Sequence, residues 1–125
     1  MIQEQYVSFE TAKHLAKKGF KCPCNAYYDG FTTDNFHDGC EPTDFNSIDP
    51  EVRDIVSAPT QALAMRWLRE VYAIQIIIVP YTHRKLDWTY SINKNFQALT
   101  QEFFSFPTYE EACESAIKYC LINLI

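Results

Sequence analysis

Residues 108–124, TYEEACESAIKYCLINL, carry the clearest structural signal in this 125-residue chain. Thr108 and Glu111 form the S/T-x-x-E capping box that opens a helix. Behind it Tyr109, Ala112, Cys113, Ala116, Ile117, Cys120, Leu121 and Leu124 recur at steps of three and four. That spacing lays one apolar stripe along a helix and commits the segment to packing on something else.

Working upstream, that partner is a sheet. Trp88, Tyr90 and Ile92 alternate with Thr89, Ser91 and Asn93, the period of a half-buried strand. Residues 74–79 are rich in isoleucine and read as a buried strand that Pro80 ends. His83-Arg84-Lys85 fits a basic turn between them. Residues 96–100 and 102–106 are weaker strand signals.

A second helix opens around Ser57-Ala58-Pro59-Thr60-Gln61, with Ser57 as its cap and Pro59 tolerated in the first turn. Leu63, Ala64, Trp67, Leu68 and Val71 give its inward stripe, with Trp67 in the core, and Arg66, Arg69 and Glu70 its outward face. A first helix spans residues 9–18: Ser8 caps it, Phe9, Ala12, Leu15 and Ala16 share a face, and Lys17 and Lys18 suit the negative end of its dipole. Gly19 then fits the left-handed closing position, and Phe20 closes a Schellman contact. Residues 24–28 make a short strand, and Asp29-Gly30 is a hairpin turn signal.

The order predicts an α+β fold: a small antiparallel sheet of three to four strands, about three helices packed on it, and a long acidic loop. Its length suits one domain over residues 1–125. The loop is residues 29–56. Eight acids (Asp29, Asp34, Asp38, Glu41, Asp44, Asp49, Glu51 and Asp54) and one base, Arg53, give it a net charge of −7, against −5 for the whole chain. Long irregular segments in compact domains are usually functional or mobile.

Composition narrows the function. With 47% hydrophobic and 15% aromatic residues the chain can build a core. Its acidity argues against bulk nucleic-acid binding. Three glycines exclude a glycine-rich phosphate loop. The longest apolar run, residues 71–79, is broken by Gln75 and is far short of the roughly 20 residues of a membrane span. Residues 1–10 have no basic-then-apolar pattern, so no secretory signal is expected. Five cysteines without a secretory context read as reduced thiols in a cytoplasm.

Three stretches together resemble a known group. They are Val7-Ser8-Phe9-Glu10-Thr11-Ala12-Lys13 with Lys18-Gly19-Phe20, then Ser57-Ala58-Pro59-Thr60-Gln61 with Trp67-Leu68-Arg69-Glu70, then Tyr109-Glu110-Glu111-Ala112. The chain is similar to small uncharacterised proteins of Bacteroidetes genomes and their phages or prophages, over most of its length except residues 29–53. The group carries no assigned activity. The resemblance implies a cytoplasmic accessory protein of a mobile element. It also implies that Cys24 belongs to the shared pattern while Cys22 is an addition.

The remaining constellations are local. Cys22, Cys24, His37 and Cys40 are metal-ligand types in a loop-like segment, although C-x-C-x12-H-x2-C is not a standard zinc spacing. The competing reading is plain thiols beside a turn. Cys113 and Cys120 lie on an apolar stripe and read as inert. His14, His37 and His83 sit in no recognisable Ser-His-Asp or Cys-His framework. Ser57, Thr60 and Gln61 mark a helix N-terminus, a natural anion site, with Arg84 and Lys85 as added charge; a plain capped helix is the bland reading. Tyr27, Tyr28, Trp88 and Tyr90 offer aromatic faces, although core packing is the commoner role.

No catalytic motif is present, and no cofactor is expected. The sequence therefore points to a non-enzymatic binding protein of a phage or mobile element. On one reading it antagonises host defence by engaging a host protein. On another it is a homo-oligomer that sequesters a small nucleotide-like signal. A small enzyme of unknown reaction is a third reading.

Overall fold

The computed structural model describes residues 2–30, 35–81, 87–99 and 105–125. The fold is α+β, with three helices and two three-stranded antiparallel sheets among the described residues. It falls into two compact units, Met1–Thr60 and Gln61–Ile125. The three-to-four-stranded sheet read from the sequence is thus two separate sheets, one in each unit.

The first unit holds α1 (Phe9–Lys17), β1 (Tyr27–Asp29), β2 (Asn35–His37), a 3-10 turn (Phe45–Ser47) and β3 (Ile55–Ser57). Ser8 caps α1 by accepting from the Thr11 amide at 3.2 Å. Thr11, Ala12 and Leu15 are buried, and α1 packs against β3. β1 is central in the order β2-β1-β3. It pairs Tyr28 with Phe36 on one side and with Val56 on the other.

Residues 29–56 therefore supply two of the three strands rather than one long loop. Apolar residues scattered among the acids explain this. Phe45 and Val56 are buried, and Cys24 and Thr43 exchange backbone hydrogen bonds of 2.9 Å that hold the segment to the unit. Burial of each such side chain contributes about 1.5–3 kcal/mol, which outweighs the polar composition around it.

The second unit holds α2 (Gln61–Tyr72), β4 (Ile74–Tyr81), β5 (Asp87–Lys94), β6 (Gln97–Leu99) and α3 (Tyr109–Tyr119), which runs into a π-helical turn (Cys120–Leu124). The sheet order is β4-β5-β6. Ile76 pairs with Ile92 and Ile78 with Tyr90, and α2 and α3 pack on this sheet. Thr108 caps α3 as read: its Oγ1 accepts from the Glu111 amide at 3.1 Å. Cys113, Ala116, Ile117, Cys120 and Leu121 are fully buried.

Four further expectations change. α2 begins at Gln61, not near Ser57, because Ser57 pairs with Tyr27 as the last residue of β3. Val71 is 57% exposed, so the α2 stripe narrows to Ala64, Trp67 and Leu68, with Gln61 buried beside it. Pro80 does not end β4; it pairs with Trp88 inside the strand. β4 lies at the edge of its sheet, where a residue without an N–H is tolerated. The same strand alternates rather than being buried throughout, with Ile74 buried and Ile77 exposed.

Candidate functional site

The first unit holds a half-open cavity of about 240 Å³. Its apolar wall comes from α1, β1, β3 and the segment before β3. Phe9 and Ala16 lie seven residues apart on one face of α1, and Lys13 lies between them, one turn after Phe9. Tyr28 projects from β1 on the side opposite Tyr27, as strand alternation requires. The Phe9 and Tyr28 rings meet at 5.5 Å with a 57° tilt. Ile48 and Val56 complete the apolar wall.

Among the described residues, three charged side chains line the same cavity: Lys13, Lys21 and Asp54. The Lys13 ammonium lies 4.6 Å from the Phe9 ring centroid, a cation–π contact. Both lysines are exposed and Asp54 is half-buried. Among the described residues no carboxylate pairs with either lysine.

The uncharged polar groups of the wall are already engaged. Tyr28 donates its hydroxyl proton to the Val7 carbonyl at 2.6 Å. Asn46 donates to the Phe20 carbonyl at 2.8 Å and accepts from the Ser57 amide at 2.9 Å. The Gly30 amide donates to the Asp54 carbonyl at 3.0 Å. What faces the cavity is therefore mostly hydrocarbon, with charge at its solvent side.

Of the residues singled out from sequence, only Tyr28 lines this cavity. Ser57 is fully buried; its hydroxyl accepts from the Phe45 amide at 3.1 Å. Thr60 bridges Tyr6 in antiparallel fashion. Gln61 is buried and donates to the Glu110 carbonyl at 3.0 Å. The three do not form an anion site at a helix end, because sheet pairing and a helix-to-helix hydrogen bond have claimed their polar groups. Arg84 and Lys85 lie outside the described residues.

Tyr27 forms a separate cluster on the other face of β1. It stacks on His37 at 4.9 Å and 21°, and its hydroxyl accepts from Arg53 at 2.9 Å. Trp88 and Tyr90 belong to the second unit. Trp88 meets Tyr109 edge-on at 5.3 Å, and Tyr90 is buried and stacks on Phe106 at 6.1 Å. Burial pushes the Tyr90 phenol up from its ordinary value. These two rings are packing elements, not open faces.

The four metal-ligand types do not converge. Among the described residues no three His, Cys, Asp or Glu side chains gather to hold an ion. His37 Nε2 is 2.9 Å from Asp29 Oδ2 instead. Cys24 is buried, its thiol pushed up to about 12 first by that burial and then by neighbouring Cys22. Cys22 and Cys40 are half-buried. The Cys24 thiol donates instead to the Cys22 carbonyl at 3.4 Å.

Sequence reasoning placed Phe9 and Ala16 on the α1 face and Phe20 at its closing turn, counted Asp54 among the loop acids, and gave Lys13, Lys21 and Asp54 no role in a site. The signal was available in part: Phe9, Lys13 and Ala16 share a helix face on which a small residue leaves room. A wider depression of about 450 Å³ runs along α3, lined by Phe106, Glu111, Glu114, Ser115 and Lys118. One aromatic and four polar side chains make it a solvated surface rather than a built site. Compared with known proteins, the chain matches no family model, no curated protein and no solved structure.

Proposed function

We propose that this chain is a non-enzymatic binding protein whose first unit holds a small organic ligand. The observation that carries this reading is the apolar cavity walled by Phe9, Ala16, Tyr28 and Val56, with charges confined to its solvent side. Pockets of this design, mostly apolar with a few polar groups fixing orientation, are how proteins hold small molecules. The cavity shifts the weight from a host-protein antagonist to a sequestering protein. The sequence resemblance adds that the ligand belongs to the host of a mobile element, in whose cytoplasm the protein would act.

The test is filling the space. Ala16→Phe places a ring where the ligand would lie. Native mass spectrometry of the wild-type chain expressed in a bacterial cytoplasm is expected to show released small-molecule mass. It also reads whether the sequestering form is a homo-oligomer. The filled variant is expected to lose that mass while keeping its helical circular dichroism. A bare wild-type chain whose melting temperature no small apolar probe raises would overturn the reading.

A second reading rests on the exposed acids Asp38, Glu41, Asp49 and Glu51. A single-sign field of this kind steers a basic partner. On that reading the acidic segment engages a basic host protein, and neutralising all four acids would abolish capture of that partner in a salt-dependent way.

A further inference from the structure

We infer that the ligand of the first-unit cavity is a small carboxylate with a single flat or branched apolar body, carried with its anionic end toward Lys13 and Lys21. This deepens the small-ligand reading and rests on it.

Size sets the first limit. A dry apolar cavity of about 150 Å³ accepts benzene. A half-open cavity of about 240 Å³ therefore holds one ring with a short side chain, and a whole nucleotide would protrude from it. Wall chemistry sets the second. The Tyr28 hydroxyl and both ends of the Asn46 amide are already bonded within the protein. A nucleobase entering here would lose water from its polar edge and find replacement partners only in the charged groups at the solvent side, a penalty of about 1–3 kcal/mol for each group left unpaired. A hydrocarbon ring loses nothing and gains contact with Phe9 and Val56.

Charge sets the third limit. Among the described residues, two ammonium groups against one carboxylate, Asp54, make the lining net positive within an acidic chain. The exposed acids elsewhere are screened over about 8–10 Å at ordinary ionic strength, whereas a group at the cavity mouth meets the lysines directly. Lys13 already lies against the Phe9 ring. A carboxylate beside it would form a charge-assisted hydrogen bond at the edge of a low-dielectric wall, where such bonds are strongest.

Isothermal titration of the full chain at low salt tests this with matched probes: 3-phenylpropanoate, its neutral amide, 2-phenylethylamine and adenosine monophosphate. The carboxylate is expected to bind about tenfold tighter than the amide, as one charge-assisted bond implies. Lys13→Ala and Lys21→Ala are each expected to erase most of that preference. Lys17→Ala, on the same helix outside the cavity, is expected to change neither. Equal binding of carboxylate and amide, with both lost in Ala16→Phe, would overturn the anion assignment and leave the cavity reading standing. Tightest binding of the amine would overturn it in favour of Asp54, and tightest binding of adenosine monophosphate in favour of a nucleotide. Binding of none of the four probes would overturn both.

Discussion

The amide of Phe20 donates to the carbonyl of Leu15 across 3.0 Å, and between them the Gly19 amide donates to Ala16 at 3.2 Å. These two bonds close α1 as a Schellman motif and turn Phe20 back into the core, where it is fully buried. Gly19 sits at φ +89, with open space where a Cβ would go. Any cost of a side chain there is conformational, not steric. Gly19→Ala is therefore expected to lower stability by about 1 kcal/mol, read as an earlier urea midpoint with an unchanged slope.

The opposite effect is expected at the β5–β6 hairpin. Lys94 pairs with Gln97 across a two-residue loop, Asn95-Phe96, and both residues have positive φ. That is the pattern of a type I′ turn, which favours Asn-Gly. Phe96 is wholly exposed and gains no burial for its strained backbone. Phe96→Gly is expected to raise stability by about 1 kcal/mol, measured as a higher melting temperature.

Alkali should weaken the fold through its buried thiols. Burial pushes Cys24 and Cys120 up to about 12 and Cys113 to about 11, from an ordinary 9.0. Above about pH 9 the unfolded chain sheds thiol protons that the folded chain retains, so stability falls with rising pH through the interval from 9 to 12. Urea melts at pH 8, 9 and 10.5 are expected to show that decline, and Cys120→Ala to make it shallower. A decline unchanged in the variant would assign it to other groups.

Zinc should do little. With His37 held by Asp29 and Cys24 buried, the four ligand types have no common point. Adding equimolar zinc to the reduced protein is expected to leave the melting temperature within a degree. A rise of several degrees that Cys40→Ser abolishes would contradict this.

Local signals survived best. Thr108 with Glu111, Ser8 with Thr11, and Gly19 with Phe20 act over three to five residues, and each forms the contact its spacing implies. The α+β class follows from the same periodicities. What the sequence hid was tertiary. Ser57 has the composition of a cap, but pairing with Tyr27 draws it into a strand, and no local pattern reports a partner thirty residues away. The acids of residues 29–56 masked the few apolar side chains that anchor it. The cavity was hidden for a related reason: Lys13 and Asp54 look like ordinary surface charges until the fold brings them to one wall.

The first unit is also tied shut by its own ends. Val7 donates to the Pro59 carbonyl at 3.0 Å, and Tyr6 bridges Thr60. Entry and exit of the chain thus lie side by side, the arrangement that lets a module be spliced into a loop of another protein or rejoined in permuted order. The clasp also reaches the cavity wall, because the Val7 carbonyl takes the Tyr28 hydroxyl. Trimming the few residues before α1 would loosen a cavity wall that none of them lines.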